Sequence, residues 1–188
     1  MTKVTHWLLG LTIAAILATG TISYSTTAFA DNNDDDKDDD SRDKGKKKFR
    51  SNLNGFEEVP AVSSTGEGKF RAELNKDGDK LEYKLEYDSL EGNILQSHIH
   101  FGQKGVNGGV SLFLCTNLGN NPDAPACPGD TSGNVNGVLT ADNVIGPSGQ
   151  GIDSGEFGEI IDAIRNGIAY VNVHTDKHPS GEIRGQVK

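Results

Sequence analysis

Hydrophobic and polar residues alternate along much of this chain in short runs separated by Gly, Asn, Asp and Pro. Lys80 to Tyr87 places Leu81, Tyr83, Leu85 and Tyr87 on one side and Glu82, Lys84 and Glu86 on the other, the period-two pattern of a half-buried strand. Gly68 to Asn75 alternates in the same way, and Asn75-Lys76-Asp77-Gly78-Asp79 between them carries an Asp-Gly turn signal, which predicts a hairpin. Arg50 to Gly55 reads as an earlier strand. Glu57-Glu58-Val59-Pro60 leads away from it, kept non-helical by Pro60. Ile94 to Phe101 is a further strand, followed by the glycine-rich connection Gly102 to Gly109. Those glycines read as a turn rather than an anion cradle, because no helix start or P-loop lysine pattern follows them. Val110 to Cys115 is apolar enough for a buried strand, Asn134 to Thr140 makes another, and Ala141 to Gln150 is a connection.

The period then changes. Ile160, Ile161 and Ile164 fall at helical spacing within Phe157 to Gly167, and Asn166-Gly167 supplies a stop. The C-terminal run Tyr170 to Gln186 returns to alternation and is broken at Pro179-Ser180-Gly181, which predicts a strand, a tight turn and a return strand. Short strands joined by glycine turns, with one short helix, predict an all-β fold: an antiparallel Greek-key sandwich or barrel of seven to eight strands.

Composition adds compartment and charge. Met1 to Ala30 has Lys3, the apolar run Trp7 to Ala18 and the small-x-small sequence Ala28-Phe29-Ala30, which together predict a signal peptide cleaved after Ala30. The apolar run is shorter than the roughly 20 residues a membrane-spanning helix needs, so the expectation is a secreted, periplasmic or cell-surface protein without a membrane span in the mature chain. Asp31 to Lys48 is low in complexity, an aspartate run followed by Lys44-Gly45-Lys46-Lys47-Lys48. It is expected to be a disordered spacer, because its aspartates lack the glycine and distal glutamate of a calcium loop. The folded domain is then expected over residues 49–188. The formal net charge is −9, which argues against nucleic-acid binding and favours cations. Cys115 and Cys127 are the only cysteines. Export would let them form a disulfide stapling the irregular loop between them.

The candidate chemistry lies in the histidines. Four of five fall in two places, Ser97-His98-Ile99-His100-Phe101 and the C-terminal run with His174 and His178. Residues two apart on a strand share a face with Cα atoms roughly 6.5 Å apart, so His98 and His100 project together. His174 and His178 bracket the turn. If the two strands are neighbours, three or four imidazole nitrogens converge, a donor set that suits copper(II) or zinc. Asn172, on the strand face of His174, and Asp176 are the candidates for orienting a ligating imidazole through its other nitrogen. Glu57, Glu58 and Asp176 could serve as acid and base, but a surface role is the simpler reading. Glu182 and Arg184 share a side of the return strand and are positioned to pair.

Leu53-Asn54-Gly55-Phe56-Glu57-Glu58-Val59-Pro60, His98-Ile99-His100, Ala169-Tyr170-Val171-Asn172-Val173-His174-Thr175, His178-Pro179 and Gly181-Glu182-Ile183-Arg184-Gly185-Gln186 occur in an order that resembles the CHRD domain, named for chordin. The resemblance runs from about Asn52 to Lys188. It departs at Gly108-Gly109-Val110, where many relatives carry a proline before the valine. The family resemblance implies an exported β module, found singly in microbes and as repeats in chordin beside growth-factor-binding domains. It brings no agreed catalytic residue set, although the histidines match positions where many microbial members have His. The sequence therefore points to an exported, non-catalytic CHRD-domain module that binds copper or zinc through His98, His100, His174 and His178. One alternative is a metal-free cell-envelope module that contacts an envelope or extracellular protein. The other is an enzyme like Cu/Zn superoxide dismutase, an analogy at the level of fold alone. No Gly-x-Ser-x-Gly elbow occurs, so a serine hydrolase of that type has no support.

Overall fold

The computed structural model describes residues 45–188; the expected signal peptide and most of the Asp/Lys-rich spacer lie outside the described residues. Among the described residues there are eight strands: β1 (Lys48–Asn54), β2 (Glu67–Leu74), β3 (Leu81–Asp88), β4 (Ile94–Phe101), β5 (Gly109–Thr116), β6 (Gly133–Leu139), β7 (Ala169–Thr175) and β8 (Ile183–Gln186). One α-helix, α1 (Phe157–Arg165), precedes β7. All the strand pairs are antiparallel, in the order β5-β4-β7-β8-β1-β2-β3-β6. The end strands β5 and β6 approach each other, so the sheet is a nearly closed barrel.

Alternation decides which side faces in. Phe49 and Leu53 of β1, Phe70, Ala72 and Leu74 of β2, and Leu81, Tyr83, Leu85 and Tyr87 of β3 are buried, while the residues between them are largely exposed. The predicted Asp-Gly hairpin joins β2 to β3, with Leu74 opposite Leu81. Gly78 takes φ +79°, a conformation that costs Gly little. Tyr83 carries a polar tip into the barrel and donates to the Leu114 carbonyl at 2.6 Å. Burial pushes its phenol up to about 12. Helix α1 buries Phe157, Ile160, Ile161, Ala163 and Ile164 in the same core and ends at Asn166, with Gly167 at φ +68°. Cys115 and Cys127 are bonded, S–S 2.09 Å, and tie the end of β5 to the loop before β6.

On the other side of the barrel alternation no longer means exposure. Every residue of β7 is buried, and β8 is buried through Gly185. Val171, Val173 and Ile183 fill the core, while Tyr170, Asn172, His174 and Arg184 project outward under a lid of loops. Three segments make the lid: the stretch following β1 from Gly55 to Pro60, the β4–β5 connection and the β7–β8 turn. Asn107 Nδ2 donates to the Val59 carbonyl at 2.9 Å and Lys104 pairs with Glu57 at 3.0 Å, so the first two segments clasp each other.

Candidate metal centre

The pairing of β4 with β7 builds the site. His98 lies opposite Asn172 and His100 opposite Tyr170, while Gln96 faces His174, so both histidines of β4 and the histidine of β7 share the outward face. His98, His100 and His174 each offer one ring nitrogen, and these nitrogens all lie within 4.8 Å of one another. His98 Nδ1 is 3.2 Å from His174 Nε2. All three residues are buried, none more than 8 % exposed.

The outer nitrogens fix the tautomers, because a carbonyl can only accept. His100 Nδ1 is 3.0 Å from the Gly108 carbonyl, and His174 Nδ1 is 3.0 Å from the Pro179 carbonyl. Each Nδ1 therefore carries the proton, and each Nε2 keeps its lone pair. The Nε2 atoms of His98 and His100 are buried without a hydrogen-bond partner, an arrangement that needs a reason. Burial, with the neighbouring imidazoles adding to it, takes His98 down to about 2. Burial, His174 and the Arg184 guanidinium bring His100 down to about 4 against the pull of the Gly108 carbonyl. Burial lowers His174 as well, against the Pro179 carbonyl. At neutral pH the three rings are uncharged donors, the form that metals bind.

Packing holds the rings in place. Phe113 meets His98 edge-on at 4.3 Å between centroids. Tyr170 stacks on His100 at 4.7 Å with planes 5° apart, and the Arg184 guanidinium lies 3.4 Å from the centre of the Tyr170 ring. Arg184 also binds the β4–β5 connection, through Asn107 Oδ1 at 3.0 Å and the Val106 carbonyl at 2.7 Å. That connection supplies the Gly108 carbonyl that orients His100.

The other residues singled out in the sequence fall elsewhere. His178 stands outside the triad: its Nε2 is 3.8 Å from a Glu91 carboxylate oxygen, and its backbone builds the β7–β8 turn. Asp176 is exposed and accepts from the backbone and side-chain nitrogens of Asn93. Asn172 does share the outward face, but its amide donates to Glu58 Oε1 at 2.6 Å rather than to a histidine. Glu58, expected at the surface, is 7 % exposed, and desolvation raises its carboxyl to about 7 despite Asn172 and Arg184. Glu182 and Arg184 are both buried and form no pair. Glu182 instead accepts from Ser64, Thr175 and the backbone of Glu91 and Gly92. Tyr170 and Arg184 as supports of His100 are read from the fold alone, since the stack depends on the β7–β8 register.

A family model for the CHRD domain matches residues 49–187. The chain belongs to the CHRD domain family. No curated protein and no solved structure gives a significant match.

Proposed function

We propose that the protein is an exported CHRD module that holds one transition-metal ion, copper(II) or zinc, through His98, His100 and His174. The observation that carries this reading is the pair of buried, unpartnered Nε2 atoms, on His98 and His100, beside a third imidazole whose Nε2 is kept as a lone pair. The residues fit the ion. The three residues offer ring nitrogens that all lie within 4.8 Å of one another, a separation that small ring rotations bring to the roughly 3.3 Å between nitrogens about a four-coordinate ion. Both cysteines are in the disulfide, so no thiolate competes, and neutral imidazole suits copper(II) and zinc. The ion would supply a fixed positive charge held by neutral donors. The Gly108 and Pro179 carbonyls orient His100 and His174, and Phe113 and Tyr170 limit ring rotation. The sequence of residues 1–30 and the Cys115–Cys127 bond both fit export.

Elemental analysis of purified protein, followed by copper(II) titration monitored by electron paramagnetic resonance, tests the site. One ion per chain with nitrogen hyperfine structure is expected for wild type, and loss of that signal for His98→Ala and His100→Ala. An unchanged stoichiometry and spectrum in both variants would refute the assignment.

A further inference from the structure

Far from the histidines, the outward face of β1–β3 carries a row of like charges. Arg50 lies directly opposite Arg71, and Arg71 directly opposite Lys84. Lys188 extends the row, because it exchanges both backbone hydrogen bonds with Arg50 at 2.9 Å. Neighbouring strands are about 4.8 Å apart, so four cations stand abreast over roughly 14 Å. Like charges placed directly opposite on a sheet destabilise it. Among the described residues no carboxylate forms an ion pair with Arg50, Arg71 or Lys188, while Lys84 is paired with Glu86 at 2.5 Å. The row borders a groove of about 840 Å³ whose lining includes Arg50, Lys69, Arg71, Lys104 and Lys188 and a single acidic side chain, Glu57. The groove is positive on a chain of net charge −9, although the sheet beside it also carries Glu73 opposite Glu82 and Glu86 opposite Lys69.

We propose that this groove docks a linear acidic polysaccharide, with sugar carboxylates on Lys188, Arg50 and Arg71. A guanidinium presents two parallel N–H donors that match a carboxylate, and the strand spacing sets cations at intervals comparable to a sugar unit. The rows on either side choose between polyanions. Exposed Asn52 and Asn136 and the carboxylates of Glu73 and Glu86 flank the cations. Sugar hydroxyls can donate to those carboxylates, whereas a polyphosphate offers only acceptors and would be repelled. The outward positions of β1, β2 and β3 hold no aromatic side chain, so the stacking platform that single-stranded nucleic acid uses is missing.

Binding of polygalacturonate to the full chain, measured by calorimetry over a range of salt concentrations, tests the proposal. Saturable binding that weakens with salt is expected. Arg71→Gln should weaken it by about tenfold and reduce the slope of log K against log salt by about one. Thermal unfolding of Arg71→Gln should show equal or higher stability, which separates lost contact from lost fold. Unchanged affinity in that variant would overturn the proposal, as would tighter binding of polyphosphate or single-stranded DNA than of polygalacturonate. Binding seen only after Asp31 to Asp40 are neutralised would instead assign the face to the chain's own aspartate run.

Discussion

Burial holds the imidazoles of His98 and His100 at about 2 and about 4, while an unfolded histidine titrates near 6.5. Below that value the unfolded chain takes up protons that the folded chain refuses, so the stability these residues contribute is present above about pH 6.5 and is lost as pH falls. Each contributes a slope of up to about 1.4 kcal/mol per pH unit. Urea unfolding of metal-free protein should therefore show stability dropping from about pH 6.5 toward about pH 4, and dropping less steeply in His98→Ala. Glu58 has the opposite sign. Its folded value of about 7 lies above the ordinary glutamate value of 4.5, so its contribution is present below about pH 4.5 and is lost as pH rises through 7. Glu58→Gln keeps an oxygen for the Asn172 amide and removes the buried charge. It should be more stable than wild type at pH 8, by on the order of 1–3 kcal/mol, with the difference disappearing at acid pH. Equal melting temperatures of the two proteins at pH 8 would show that water or Arg184 already solvates the carboxylate.

The β7–β8 ribbon shows how one element carries both fold and site. Its turn was legible because Pro179-Ser180-Gly181 cannot continue a strand, and in the structure Val171 and Val173 lie in the core. Alternation groups Asn172 with His174 on one face, but it does not say whether that face or Arg184 meets water. All three face outward, but loops from residues 55–60 and 102–109 cover them, and a lid built from distant segments leaves no periodic trace. For the same reason His98, His100 and His174 could be grouped from spacing and strand adjacency, whereas His178 and Asp176 could not be placed. Their positions depend on the conformation of one turn, where a single residue redirects a side chain. Gly181 is the residue that turn cannot exchange. It sits at φ +131°, and a Cβ there would lie 2.7 Å from both Asn172 Oδ1 and Glu58 Oε1. Gly181→Ala should destabilise the domain by about 2 kcal/mol or more in denaturant unfolding. It should also weaken metal binding, since the Pro179 carbonyl that orients His174 belongs to the same turn. Wild-type affinity in a destabilised Gly181→Ala protein would show that the turn does not position the ligand.

At the scale of the whole molecule, the barrel is asymmetric in how its outer surface is used. The β1–β3 side is open and charged, while the β4–β7–β8 side is sealed, and the sealed side gathers three neutral imidazoles whose desolvation the fold must sustain without compensation at two nitrogens. Such a site stores a cost that an ion would relieve. An ion that binds only the folded chain stabilises it by mass action, by about 2.7 kcal/mol at a free concentration one hundred times Kd, which for a domain of this size raises Tm by about 5 to 10 °C. Addition of copper(II) or zinc to metal-free protein should therefore raise Tm in a concentration-dependent way. His98→Ala should show no such rise, and its own metal-free Tm should already be lower, because the substitution loses the packing against Phe113 and the contact with His174. His178→Ala is the discriminating comparison. With its ring nitrogen 3.8 Å from Glu91 and outside the triad, it should keep the full metal-dependent shift, and a shift lost in His178→Ala but kept in His98→Ala would move the ion out of the barrel face and into the turn.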